Sequence, residues 1–368
     1  MHTPDQAEPT TRAASGKSPS SWPGRAIRAA RVRRGLEICL ALATIAYAAT
    51  PPAGPITCAA CHSAEAQSQP KTAMGQAIQL PPSQQILKAH PKLTFEKNGY
   101  TYSIERQGDR SIYTVRDGAG EISLPIQYAF GVHSQTFVFQ YQGRFYEGMV
   151  TYYSKLSGLA ITLGDEQLRP RSLVEAMGRE MSNQEVVACF SCHSMGGVNQ
   201  GRVTLDSLKP GIACEHCHAG AAVHMEAAAQ GKTAALPAKL GQMGAEDMSN
   251  FCGQCHRTWE SIVRAREWGE VNVRFSAYRL ANSDCFLGDD KRIRCTACHD
   301  PHGSLAGDEA GYDRACLACH ASPPRKLCPV SKNKCAGCHM TKVTLSDGHA
   351  VFTDHQIRIA RPSDPYPN

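Results

Sequence analysis

Seven times the chain repeats Cys-x-x-Cys-His, and this repeat constrains everything else it can fold into. In chain order the motifs use Cys58, Cys61 and His62; Cys189, Cys192 and His193; Cys214, Cys217 and His218; Cys252, Cys255 and His256; Cys295, Cys298 and His299; Cys316, Cys319 and His320; and Cys335, Cys338 and His339. They are numbered 1 to 7 below. Two residues between the cysteines let one short turn present both sulfurs on one side. The next residue adds an imidazole beneath them. This is the pattern of covalent heme attachment, in which the thiols become thioethers and the His takes the iron from one face. Zinc knuckles and redox dithiols also use Cys-x-x-Cys, but neither requires the following His. The expectation is seven covalently bound hemes c.

Each porphyrin is a large apolar plate that replaces side-chain core, so little secondary structure is needed between sites. The 31 Gly and 22 Pro agree with this. The expected fold is mostly irregular, with short α-helices packed around the hemes and a small antiparallel β region between motif 1 and motif 2. Four segments follow: 1–49 for targeting, 50–84 for the first motif and a linker, 85–170 for the β region, and 171–368 for a six-heme domain. Motif starts lie 131 residues apart at the first gap, then 25, 38, 43, 21 and 19 apart, so the last six hemes must crowd together. The β reading rests on Tyr100–Ile104, Ser111–Val115, Thr136–Tyr141 and Phe145–Tyr153, with turns at Gly108-Asp109, Asp117-Gly118 and Gln142-Gly143. Their aromatics read as core, with a docking surface as the alternative. Ser172 and Glu175 read as a capping box for a helix running to about Val187, and 221–232 has helical composition.

Arg25, Arg28, Arg31, Arg33 and Arg34 precede a short apolar stretch, Ile38 to Ala49, with a small-x-small pattern at Ala46-Tyr47-Ala48. This predicts a cleaved signal peptide and a periplasmic or otherwise extracytoplasmic protein. An N-terminal membrane anchor is the alternative, although the stretch falls short of the ~20 residues a span needs. The formal charge of +6 would fall to about +2 on removal of residues 1–49, and roughly 14 propionates would then make the holoprotein acidic. Nothing supports a nucleic-acid partner.

Of 15 histidines, seven belong to motifs. His2 lies in the targeting segment, and His216 sits inside motif 3, where reaching another iron is awkward. Six candidates for the far face of an iron remain: His224, His302, His349, His355, His90 and His133. Any one of them read singly is a surface or hydrogen-bonded histidine. His302 is too close to His299 to cap the same iron and is expected on a neighbour, as is His224 after His218. Six donors for seven irons leave one iron short, and an open iron can bind substrate where a filled one only passes electrons. Met74 is the preferred methionine substitute, because Met195 and Met340 stand too near a motif His. Arg274 to Arg279 could line an open face. Cys285 and Cys328 could pair in an oxidising compartment, ligate iron or remain thiols.

The runs Cys189-Phe-Ser-Cys-His-Ser, Gly211-Ile-Ala-Cys-Glu-His-Cys-His-Ala-Gly, Cys295-Thr-Ala-Cys-His-Asp-Pro-His and Cys335-Ala-Gly-Cys-His-Met resemble exported multiheme cytochromes c. The broad group includes the tetraheme cytochrome of ammonia oxidisers and the doubled-CXXCH proteins. The ending His349-Ala-Val-Phe-Thr-Asp-His-Gln-Ile is similar to the C-terminal segment of such proteins. The resemblance covers roughly 185–360. It implies stacked and perpendicular heme pairs, mostly bis-His irons, and His224 and His302 as distal ligands. Related chains often carry Gly-Pro-Gly after the heme His, where this one has Ala219-Gly-Ala-Ala. The group contains both carriers and reductases. The first expectation is therefore electron relay between redox partners, a quinol-linked donor and a terminal reductase, with peripheral or transient membrane association. The second is a multiheme oxidoreductase acting on a small nitrogen or sulfur oxyanion at one open iron. A structural or heme-storage role is a third.

Overall fold

Between motif 1 and motif 2 the chain builds two antiparallel sheets. The computed structural model describes residues 57–232, 239–305, 309–321, 328–361 and 364–367. The targeting segment 1–49, with its signal-peptide and anchor readings, lies outside the described residues.

Motif 1 leads into α1 (Ser63–Ser68), followed by β1 (Ile78–Gln79) and α2 (Gln85–Ala89). A four-stranded meander comes next, formed by β2 (Lys92–Lys97), β3 (Tyr100–Gln107), β4 (Arg110–Arg116) and β5 (Glu121–Pro125). Then β6 (Tyr128–Phe130), β7 (Ser134–Tyr141), β8 (Arg144–Tyr153), β9 (Gly158–Ile161) and β10 (Gly178–Glu180) join β1 in a six-stranded sheet. Its order is β1-β6-β7-β8-β10, with β9 also on β8. Asn98-Gly99 and Gln142-Gly143 have positive φ at both residues, the geometry that lets a two-residue turn follow the twist of its flanking strands.

The strands alternate faces, and the alternation makes two cores. Tyr102, Ile104 and Tyr113 of the meander meet Phe137, Phe139 and Val150 of the larger sheet in the first core. Val138, between those two phenylalanines, points the other way and packs with Ile78, Phe130, Met181, Val186 and Phe190. The larger sheet is thus covered on both faces.

The expectation of a mostly irregular protein with a small β region is wrong. Two sheets of six and four strands span 78–180, and three helices run 11 or 12 residues. The strands β1 and β10, of two and three residues, carry no alternation to read; only pairing with β6 and β8 makes them strands. The heme-replaces-core argument also undercounts helix, because a motif must sit on a helical turn and such a turn extends readily toward its N-terminus.

The expected helix from Ser172 to Val187 is two helices. Ser172 caps α3 (Leu173–Met177) by accepting from the Glu175 N–H. Glu175 answers to the Arg171 N–H rather than to that of Ser172. At Gly178 the chain leaves the helix to pair with β8, where a Cβ would stand 2.1 Å from the Glu147 carbonyl oxygen. A reciprocal capping box of Ser182 and Glu185 then starts α4 (Asn183–His193), which ends on motif 2.

Two short ladders follow, β11 (Ser194–Met195) with β14 (Lys209–Pro210) and β12 (Val198–Asn199) with β13 (Arg202–Val203). The remaining helices are α5 (Cys214–Cys217), α6 (Ala221–Ala229), α7 (Ala245–His256), α8 (Trp259–Ala265), α9 (Ser276–Ala281), α10 (Cys295–Cys298), α11 (Glu309–His320) and α12 (Cys335–His339). The hairpin of β15 (Lys342–Leu345) and β16 (Ala350–Thr353) carries the chain back. α9 packs on α7 and α8, α10 on α7 and α11, and α11 on α12.

Candidate heme-attachment sites

Every motif lies on a helical turn. Motif 1 opens with a 3-10 turn, Cys58–Ala60, motifs 3 and 5 form α5 and α10, motifs 2, 4 and 6 end α4, α7 and α11, and motif 7 is α12. In motifs 1, 3 and 5 the His N–H donates to the carbonyl of the first Cys, at 2.8, 2.8 and 3.0 Å. That bond closes one turn of backbone around the two cysteines. None of the fourteen motif thiols is fully buried, so all can react.

An imidazole whose Nδ1–H is tied to a carbonyl presents Nε2 as its free lone pair, which is how metal-binding histidines are usually oriented. His193 Nδ1 donates to Ala77 O at 2.8 Å and His339 Nδ1 to Arg358 O at 2.9 Å. Two histidines outside the motifs are held likewise: His355 Nδ1 on Thr353 O at 3.0 Å, and His302 Nδ1 on Asp300 Oδ1 at 3.2 Å.

Each of these two faces a motif histidine. The rings of His218 and His302 have centroids 6.1 Å apart and planes 6° apart. Those of His299 and His355 are 6.1 Å apart at 46°. An iron held between two imidazole nitrogens at about 2 Å each sets the ring centroids roughly 6 Å apart. The donor set and its spacing fit heme iron. Burial, followed by the charge of His299, pushes His355 down to about 4, and burial lowers His193, His218, His256 and His299. All five are therefore neutral near pH 7, the form that binds metal.

The other candidates stand elsewhere. His224 lies on α6, where its neighbour Met225 places Sδ 3.9 Å from the Cys58 sulfur of motif 1. His90 ends α2 with Nε2 hydrogen-bonded to the Tyr152 hydroxyl at 2.8 Å. His133 is exposed between β6 and β7. His349, in the β15–β16 turn, packs edge-on against Tyr153 at 4.9 Å. Met74 carries a backbone role, its carbonyl accepting from Ile212 N at 3.0 Å. In the stretch Arg274 to Arg279, Arg274 sits over the Phe275 ring and Arg279 is fully buried on Asp354. None of the sixteen described cysteines is joined in a disulfide, so Cys285 and Cys328 are not bridged.

The motifs touch one another in sequence-independent order. Motif 1 meets motif 3 through Gln69 Nε2 on Ile212 O at 2.6 Å and through neighbouring Cys58 and Cys214 thiols. Cys192 of motif 2 lies 3.7 Å from Gln254 O in motif 4 and beside the Cys255 thiol, which pulls Cys192 down while Cys255 is pushed up. Cys217 of motif 3 acts on both cysteines of motif 4. Cys252 is hydrogen-bonded to Cys295 across the α7–α10 contact, lowering Cys295 to about 7. Motif 6 touches motif 5 through α10 and α11 and motif 7 through α12, where Asp313 of α11 caps the helix by accepting from Lys334 N and Cys335 N at 2.7 and 2.9 Å.

A family model described as cytochrome c554 and c-prime matches residues 165–219, a stretch that contains motifs 2 and 3 and the whole of α4. No curated protein and no solved structure matches the chain. The motifs and this match support, at a coarse level, a multiheme c-type cytochrome with covalently bound heme c and a role in electron transfer.

Sequence reasoning passed over two functional-site residues, Asp313 and Asp354. Asp313 gives no signal before the fold brings α12 to it. Asp354 precedes His355, but nothing in sequence marks its cation.

Proposed function

We propose that the protein carries seven hemes c, one per motif, and relays electrons between redox partners outside the cytoplasm. The observation that carries this reading is the unbroken run of neighbouring motifs, 1-3-4-5-6-7, with motif 2 joining at motif 4. Heme c supplies a one-electron iron couple when bound. The chain's own residues hold each site on a helical turn, keep Nε2 of His193 and His339 free by tying their Nδ1 to carbonyls, and bring the next site into contact. In this reading His302 serves the iron of His218 and His355 the iron of His299. His224, on the helix against motif 1, is the candidate for His62. The partners are a quinol-linked donor and a terminal reductase, reached by export through the segment 1–49. Among the described residues no helix is long and apolar enough to cross a membrane.

A second reading is favoured by the ligand positions. Of the six distal candidates, His302 and His355 face a motif His, while His90 and His349 contact tyrosines of the larger sheet and His133 is exposed beside it. An iron left without a second imidazole could act on a small nitrogen or sulfur oxyanion. One experiment tests both: the heme content per chain as the pyridine hemochrome, then reduced spectra with and without carbon monoxide. The relay reading expects seven hemes and no response to the gas. Fewer than seven hemes overturns the count. A carbon monoxide complex on part of the heme moves the assignment to the oxidoreductase.

A further inference from the structure

Arg279, on α9, is completely buried, as is its partner Asp354. A buried guanidinium is tolerated only when its N–H groups are satisfied and its charge is met. Here all five find acceptors. Nε and Nη2 form a fork on the two Asp354 oxygens at 2.8 and 2.9 Å. Nη2 also reaches Gln356 Oε1 at 2.7 Å, and Nη1 reaches Pro367 O at 2.8 Å and Asn272 Oδ1 at 3.4 Å. The Tyr366 ring lies 4.6 Å from the guanidinium.

Three of these five bonds land on the strap 354–356, which has His355 at its centre. The strap is stitched to the same region again: Ser283 Oγ donates to His355 O at 3.3 Å and accepts from Ile357 N at 2.8 Å, and Gln356 Nε2 donates to Asn282 O at 3.1 Å. Asp354 Oδ1 accepts from Gln356 N at 3.0 Å, which folds the strap over His355, and Oδ2 takes a second cation, Arg358, at 2.7 Å. The strap can place its imidazole in only one position while Arg279 holds both flanking side chains.

We infer that Arg279 is a positioning residue for His355: its forked bond to Asp354 and its bond to Gln356 hold the strap so that the imidazole stays opposite His299. The inference rests on reading His355 as the second ligand of that iron. Lysine can replace Arg279 only in part, because an ammonium lacks the planar fork that meets both carboxylate oxygens while also reaching the Gln356 amide.

The test compares the holoprotein with Arg279→Gln, Arg279→Lys, Asp354→Asn, His355→Ala and the pair R279Q/H355A. Carbon monoxide binding to the reduced form and the high-spin signal of the oxidised form give the readout. His355→Ala should open about one heme per chain. R279Q and D354N should open the same single heme, R279K should open it in part, and R279Q/H355A should open no more than H355A alone. The inference is overturned if R279Q binds its full heme complement and leaves the signal unchanged, or if the pair opens a second heme beyond H355A. If R279Q does not accumulate, D354N decides by the same comparison. If H355A itself opens no heme, the ligand reading fails first, an outcome distinct from failure of the Arg279 arm.

Discussion

His218 and His302 face each other with ring planes 6° apart and centroids 6.1 Å apart, although His218 closes motif 3 and His302 follows motif 5. The distance is what an iron between the two nitrogens requires, and the Asp300 carboxylate holds the outer ring by its Nδ1. The imidazole opposite that of motif 3 thus comes from the segment after motif 5, which brings α5 and the chain after α10 together.

Replacing His302 by Ala should open one iron. About one heme per chain should then bind carbon monoxide, leaving the α-band of the rest in place. Asp300→Asn, which keeps shape and weakens the hold on Nδ1, should shift that heme's reduction potential without opening it. A His302→Ala protein whose optical and carbon monoxide spectra match the parent would remove His302 from the ligand set.

His90 should behave differently, because its Nε2 is occupied by the Tyr152 hydroxyl. His90→Ala should leave all heme spectra unchanged and lower the unfolding free energy by about 1 kcal/mol, the worth of one hydrogen bond. Tyr152→Phe should lose a similar amount. Spectral change in His90→Ala would show that the imidazole serves an iron instead.

Phe190 stands between the two cysteines of motif 2 yet is fully buried, with ring centroids 4.9, 5.4 and 5.8 Å from those of Tyr128, Phe130 and Phe145. Phe190→Ala should cost about 3–5 kcal/mol through the cavity it leaves. Denaturant unfolding followed by circular dichroism checks this. A loss under about 1 kcal/mol would mean that α4 is held to the sheet by its hemes and not by this side chain.

Asp165 is buried with one carboxylate oxygen lacking a hydrogen-bond partner. Burial, then the Glu147 charge, pushes its carboxyl up to about 6, against the opposing pull of Arg179. A raised folded-state value means extra stability that is complete below the unfolded value near 4 and lost as pH rises through 6. Asp165→Asn removes this loss. The variant should gain on the parent by on the order of 1–2 kcal/mol between pH 4 and 7, allowing for solvent screening. Parallel melting curves for the two proteins across that range would show that Asp165 does not ionise at a cost.

Much of the protein was legible in residues close together along the chain. The seven motifs are local because two thiols and an imidazole on one turn need only five consecutive residues. The runs at Tyr100–Ile104 and Thr136–Tyr141 announced β3 and β7 for the same reason: alternation over a few residues is a local property. Gly178 was not readable as a helix stop, since what ends α3 is the approach of the Glu147 carbonyl from another strand. Nor could β1 and β10 be read, since two or three residues become a strand only when a partner supplies the hydrogen bonds.

What the sequence by itself determined is the seven Cys-x-x-Cys-His motifs and their spacing, because both thiols and the imidazole of each lie within five residues. What only the tertiary structure decided is which motifs are neighbours and which histidine faces which. His302 meets His218, His355 meets His299, and Arg279 grips Asp354 across 75 residues. Those pairings depend on packing between distant helices and on burial of a charge that needs its counter-ion, and neither leaves a periodicity along the chain.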